Sequence, residues 1–275
     1  MHPQTHSLHF TAESVSDGVL ERDFTVGDVP GVLWSPASVS GSASASADPA
    51  PLILMAHAGG NDKKHPAMAN RARLFVNGCG FHVAVLDAPS HGDRPRTDHD
   101  EQERAALAGA RAAGESVMPI VVRFNEHLAA RALPEMRAAL DALQELPEIG
   151  TGGPVGFFGV RMGTAFGMPL VAADSRITAA VFGLYWSESV VETAKHITVP
   201  VEFSMQWDDE HIAREDALAL FHAFASEEKT LHANAGKQGE QPRFESAAAV
   251  EFFARHFGRT VTSRTVTSRT VTSQH

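Results

Sequence analysis

Residues 156–167 read GFFGVRMGTAFG. Apolar residues lead into Gly159, a short gap separates it from Gly163, and small residues follow. That order fits a buried strand, a tight turn and a helix start. Glycine on both sides of the turn removes the Cβ atoms that would crowd it. Such a turn lifts its central side chain above the sheet. Here the central residue is Arg161, a permanent cation with no nucleophilic atom.

The surrounding chain repeats the strand–turn–helix pattern. LILMAHAGG is an apolar run ending in glycines, and PAMANRARLFVNGCG has helical spacing with a glycine stop. FHVAVLDAP, PVGFFGV, ITAAVFGLYW, VPVEFSMQW and EKTLHANAG read as further strands, and FESAAAVEFFARHF as a closing amphipathic helix. Continuous apolar strands alternating with helices predict a mostly parallel sheet covered on both faces. VLERDFTV and PGVLWSP predict a β-hairpin around GDVPG. Residues 94–133 interrupt the rhythm with two helical segments. They read either as a small cap over the strand C-termini or as a packing pair without a gating role.

The rest of the chain is set apart by composition. Residues 1–18 are polar and read as a flexible N-terminus, leaving 19–258 as the folded domain. Residues 37–51 form a Ser/Ala-rich loop too poor in large apolar groups to pack. RTVTS repeats through residues 259–273, and the 259–275 tail reads as disordered or weakly extended. Across 275 residues the net charge is -10, which argues against nucleic acid or an anionic membrane as the main partner. The single cysteine excludes an internal disulfide and fits a reducing compartment. No signal-peptide pattern opens the chain, and no apolar run approaches the roughly 20 residues that span a bilayer. These features predict a cytoplasmic protein. No cofactor motif or metal site is read; HPQTHSLH has ligand-like spacing in a loose N-terminus. A homodimer is compatible with the chain.

Taken in order, LMAHAGG at 54–60, LDAPSHGDR at 86–94, GFFGVRMGTAFG at 156–167, QWDDEHI at 206–212 and HANAGKQGEQP at 232–242 resemble the α/β-hydrolase superfamily. The bacterial dienelactone-hydrolase-like and esterase-like branch is the part they resemble. The resemblance spans roughly 19–258 and implies an α/β-hydrolase fold. It places Arg161 at the nucleophile, Asp209 at the triad acid with Asp208 as fallback, and Gln238 where the histidine belongs. It also implies an anion hole from the backbone N–H of Met162 and of Ala58 or Gly59. No histidine occurs from Ala233 through Arg255, and His232 is expected inside a strand.

The triad implied by the resemblance is therefore degenerate. Arginine is no nucleophile and glutamine no base, and losing either group of a triad costs on the order of a million-fold in rate. Thr164 and Cys79 offer no replacement. Arg161 needs an anionic partner: either Asp209 or a ligand carboxylate, phosphate or enolate, with exchange between the two also open. His57 and His91 are read as loop-orienting or as direct acid–base groups, and His57 joins Arg161 and Asp209 as candidate catalytic residues. His91, His211 and Tyr185 are candidate pocket residues, with core packing the alternative for Tyr185 and Trp186. The family also hosts lyases, epimerases and cyclases without the serine, often in bacterial natural-product pathways. The sequence reading is thus a non-hydrolytic enzyme acting on a small anionic or carbonyl-bearing metabolite. A hydrolase of an ester or lactone type with a non-standard site and an inactive small-molecule-binding protein are the alternatives.

Overall fold

The computed structural model describes residues 7–37 and 49–262. Most of the 37–51 loop, residues 1–6 and most of the repeat tail lie outside these residues. The strands, in chain order, are β1 (Leu8–Ser16), β2 (Val19–Val26), β3 (Val29–Pro36), β4 (Leu52–Ala56), β5 (His82–Leu86), β6 (Val155–Gly159), β7 (Ile177–Gly183), β8 (Val201–Gln206) and β9 (Lys229–Asn234). They form one sheet in the order β1-β2-β3-β5-β4-β6-β7-β8-β9. The pairs from β5 through β9 are parallel, and β1, β2 and β3 add an antiparallel edge.

Every residue of β4, β5 and β6 is buried, as strands covered on both faces require. On one face lie α1 (Pro66–Cys79) and α7 (Phe244–His256), which close a core with Phe75, Phe81, Phe158 and Phe253. On the other lie α3 (Met118–Gln144), α4 (Met162–Ala173), α5 (Glu188–Ala194) and α6 (Arg214–Ala223), around Phe157, Phe182 and Phe203. The hairpin expected around GDVPG is β2–β3, with Val26 paired to Val29.

The N-terminus departs from the expected loose segment. Residues Leu8–Ser16 form β1, although nearly all of them are exposed. Its stability comes from backbone pairing to β2, and Arg22 covers Phe10 at 4.3 Å. An exposed edge strand has no buried face, so it leaves no strong hydrophobic period to read.

The 94–133 segment also differs in its limits. A capping box between Thr97 and Asp100 starts α2 (Asp98–Ala113), and Gly114 ends it in the left-handed conformation at φ 69°. The second helix does not stop near 133. It continues through Pro134 to Gln144, so the expected second insertion helix and the crossover helix are one element. An interior proline removes one hydrogen bond, and α3 buries Leu128, Ala132, Met136, Leu140 and Leu143 on both sides of it. No helix among the described residues is long and apolar enough to cross a membrane.

Candidate functional site

Above the C-terminal edge of the parallel strands, the loops after β4, β6, β7, β8 and β9 converge. This is where open α/β sheets bind ligands. Arg161 follows β6 at φ 58° and ψ -123°, a conformation costly for any residue with a Cβ. The glycines make room for it. A Cβ on Gly159 would lie 2.5 Å from the Gly163 carbonyl oxygen, and one on Gly163 would lie 2.7 Å from that of Ala56.

Thr164 closes the turn from below. The β6–β7 register ends at Phe158 and Val181. Beyond it the fully buried Thr164 hydroxyl accepts from the Gly183 N–H at 3.0 Å, and its one proton is shared between the Gly159 and Gly183 carbonyls at 3.0 and 2.8 Å. The Arg161 N–H adds a bond to the Gly183 carbonyl at 2.8 Å. One hydroxyl thus replaces the ladder bond that β6 gives up in turning.

Arg161, Asp209 and Gln238, which the resemblance places at the triad positions, meet in space. Asp209 Oδ1 accepts the N–H groups of His211 and Ile212, and its Oδ2 accepts from Gln238 Nε2 at 3.3 Å. The Gln238 main-chain carbonyl accepts from Arg161 Nη2 at 2.6 Å. Gln238 therefore stands between acid and cation, so Arg161 makes no ion pair with Asp209. Arg161 Nε is buried without a hydrogen-bond partner. Asp208 instead accepts from the Gly236 N–H and makes no hydrogen bond with Gln238 among the described residues.

A cavity of about 520 Å³ opens over Arg161. The elements below contribute Gly59, Gly60, His91, Arg161, Met162, Leu184, Tyr185, His211 and Gln238, and α2 and α3 contribute the other wall, including Arg104, Leu107, Arg111, Met118, Phe124 and Asn125. The inserted helices thus cover the site. Among the described residues, no aspartate or glutamate lines the cavity. Tyr185 is 3% exposed, and its hydroxyl has no partner in bonding geometry, although Ser187 and Asn125 are polar neighbours. Burial pushes its pKa up to about 12, so it remains a donor.

Two expected residues lie elsewhere. His57 is buried and directs both ring nitrogens to main chain. Nδ1 donates to the Ala58 carbonyl at 2.9 Å and Nε2 accepts from the Ala88 N–H at 3.1 Å. It ties the β4 loop to the β5 loop and has no nitrogen left for proton transfer in the cavity. Burial holds its pKa below the usual histidine range. Ala58 is absent from the cavity wall, and its carbonyl is taken by His57 and Asn61. Gly59 is on the wall beside Met162, whose N–H opens α4 as one of the donors a helix start leaves free.

His91 does reach the cavity. Its Nδ1 donates to the Pro89 carbonyl at 2.9 Å, which leaves Nε2 as a bare acceptor. Burial is the main cause that lowers its pKa to about 4, so the ring is neutral at pH 7. Its loop is built around buried Asp87, which accepts from the Lys63 side chain and from the Lys63 and Asp93 main chain. His232 lies in β9 as expected and pairs with Glu245 at 2.8 Å, with Glu202 at 3.8 Å. These three form a donor set outside the cavity that the sequence reading did not find. Arg104 and Arg111 were missed as well. Their spacing within a helix over the site was a usable signal, but nothing in the sequence says which face of that helix turns inward.

No protein-family model matches the chain, and no curated protein matches it. Solved structures do. A cold-adapted esterase from an Arctic intertidal metagenomic library matches with TM-score 0.69 and 29% identity, over 90% of this chain and 99% of that one. Acetyl xylan esterase 1 from a Thermoanaerobacterium species matches with TM-score 0.61 and 13% identity, over 90% and 87%. Est1E from Butyrivibrio proteoclasticus, bound to ferulic acid, matches with TM-score 0.59 and 13% identity, over 90% and 99%. The chain has the α/β-hydrolase fold.

Proposed function

We propose that this protein is an atypical hydrolase of small anionic esters or lactones, working by direct attack of water without a covalent acyl-enzyme. The observation that carries the reading is Arg161. It stands where the resemblance places the nucleophile and, among the described residues, has no carboxylate partner and lies beneath a cavity wall without an acidic residue. A guanidinium there recognises a carboxylate or phosphate on the substrate. The esterase relative at 29% identity favours hydrolysis over the lyase, epimerase or cyclase expected from the sequence.

In this reading the substrate carbonyl oxygen sits against the N–H groups of Met162 and Gly59, which stabilise the negative charge that develops on it. Water adds to the carbonyl carbon, and its proton passes to His91 Nε2. The bond from that carbon to the leaving oxygen then breaks, and the proton returns to the departing oxygen. Arg161, held by the Gln238 carbonyl, orients the substrate's anionic group. A triad site stripped of its triad retains about 10³–10⁴ over the uncatalysed reaction from binding and the anion hole alone, and catalysis of that modest size is the expectation. A second reading, ligand binding without turnover, is favoured by one observation. The described residues place no nucleophile beside a free base at the triad position.

The test is a matched panel of neutral and anionic esters and lactones, assayed with the wild type and Arg161→Met. Selective hydrolysis of the anionic members, lost in Arg161→Met, supports the proposal, as does a wild type inert to a fluorophosphonate probe. Covalent labelling of the wild type, or equal turnover of both panels by both proteins, overturns it. Binding of the anionic members without turnover selects the second reading.

A further inference from the structure

The cavity carries more positive charge than one carboxylate or phosphate uses. Arg104 and Arg111 lie two turns apart on α2, and both line the cavity across from Arg161. Three of the four acids of α2 are engaged elsewhere, Asp100 with Arg131 at 2.9 Å, Glu101 with Arg96 at 3.3 Å and Glu103 with Arg123 at 2.6 Å, and the fourth, Asp98, does not line the cavity. Neither Arg104 nor Arg111 forms an ion pair among the described residues. Arg104 is steadied by Ser90, donating to its carbonyl at 2.8 Å and toward its hydroxyl at 3.4 Å. This fixes the guanidinium beside His91 and leaves Nη1 free. Arg96 is a further positive neighbour.

Two more donors point the same way. Tyr185 lines the cavity, and its hydroxyl, buried beside Ser187 and Asn125, has no partner in bonding geometry. Arg161 Nε is also buried and unpartnered. Buried polar groups are ordinarily satisfied. Both residues line a cavity whose wall, among the described residues, also holds Arg104 and Arg111 and no acid, which matches a ligand rich in acceptors at both ends.

We propose that the substrate is a dianion with two separated anionic groups, one held at Arg161 and the other clamped by Arg104 and Arg111 on α2. This rests on the reading of Arg161 as an anion site and adds the second group. Two carboxylates, or a carboxylate and a phosphate, share the required chemistry. In the clamp α2 is the element that grips the far end of the substrate and sets its length.

Isothermal titration calorimetry on the full chain tests this. The probes are unreactive dicarboxylates of increasing length, monocarboxylates of matched length, and phosphonocarboxylates of matched length. The expected result is a dicarboxylate of one preferred length binding at least about tenfold tighter than its monocarboxylate, with the phosphonocarboxylate arm reporting which second anion is preferred. Arg111→Gln should bring that ratio close to one. Arg104→Gln should do the same, and Arg111→Lys should retain part of the preference as a point charge. Arg111 is exposed on a helix, so its substitution is expected to leave folding intact, checked by circular dichroism. Wild-type binding with no advantage for any dianion overturns the clamp, as does an advantage that survives in both glutamine variants. If monocarboxylate binding depends on Arg161 while dianions gain nothing, the clamp alone fails. If no anion binds at all, the Arg161 reading fails with it.

Discussion

Thr164→Val isolates the device that holds the turn. Valine has nearly the same shape, so the substitution removes a hydroxyl without opening a large void. The Gly183 N–H loses its acceptor at 3.0 Å and the Gly159 carbonyl its donor at 3.0 Å, both below a residue with 0% exposure. A buried group left unsatisfied costs about 1–3 kcal/mol. The Gly183 carbonyl is spared because the Arg161 N–H still reaches it at 2.8 Å. With two orphaned groups and some relaxation of the turn, the loss should be about 2–4 kcal/mol. At this chain length that lowers the melting temperature by roughly 5–10 °C. Urea denaturation and calorimetry measure it. Thr164→Ser, which keeps the hydroxyl, should stay within about 1 kcal/mol of the wild type. A Thr164→Val protein within about 0.5 kcal/mol of the wild type would refute the reasoning. The ladder bond would then have closed without the hydroxyl.

The other expectations concern the same site. If the resemblance places the triad correctly, Arg161→Ser combined with Gln238→His supplies a nucleophile and base beside Asp209, and the double variant should react with a fluorophosphonate; a folded but unlabelled protein would contradict that placement. Gly163→Ala drives a Cβ to 2.7 Å from the rigid Ala56 carbonyl, so it should cost about 1–3 kcal/mol and weaken anion binding, read by denaturation and calorimetry. His91 has a folded pKa of about 4 against 6.5 unfolded, with burial as the main cause. The unfolded chain therefore takes the proton first, and stability falls as pH drops from about 6.5 towards 4. Relative to His91→Gln, the wild type should lose about 3 kcal/mol across that window; parallel stability–pH curves for the two proteins would contradict this.

Much of the fold was legible because its signals are local. Buried parallel strands such as 52–56 and 155–159 are unbroken apolar runs, and the glycines around Arg161 mark a turn that only they fit. β1 was not legible, since an exposed edge strand is held by backbone pairing and leaves no pattern of burial. The continuity of α3 through Pro134 was hidden for a similar reason. Proline argues locally for a stop, and the packing on either side of it overrides that preference.

At the site, sequence alone determined that residue 161 is a cation and residue 238 an amide; their correspondence to a nucleophile and a base is what the resemblance implies. Tertiary structure decided what those residues touch. It set Gln238 between Asp209 and Arg161, turned both nitrogens of His57 to main chain, and brought Arg104 and Arg111 over the cavity. Side-chain identity is written along the chain. Which groups are left without a partner depends on how distant segments pack, and those unpartnered donors are what point to a ligand.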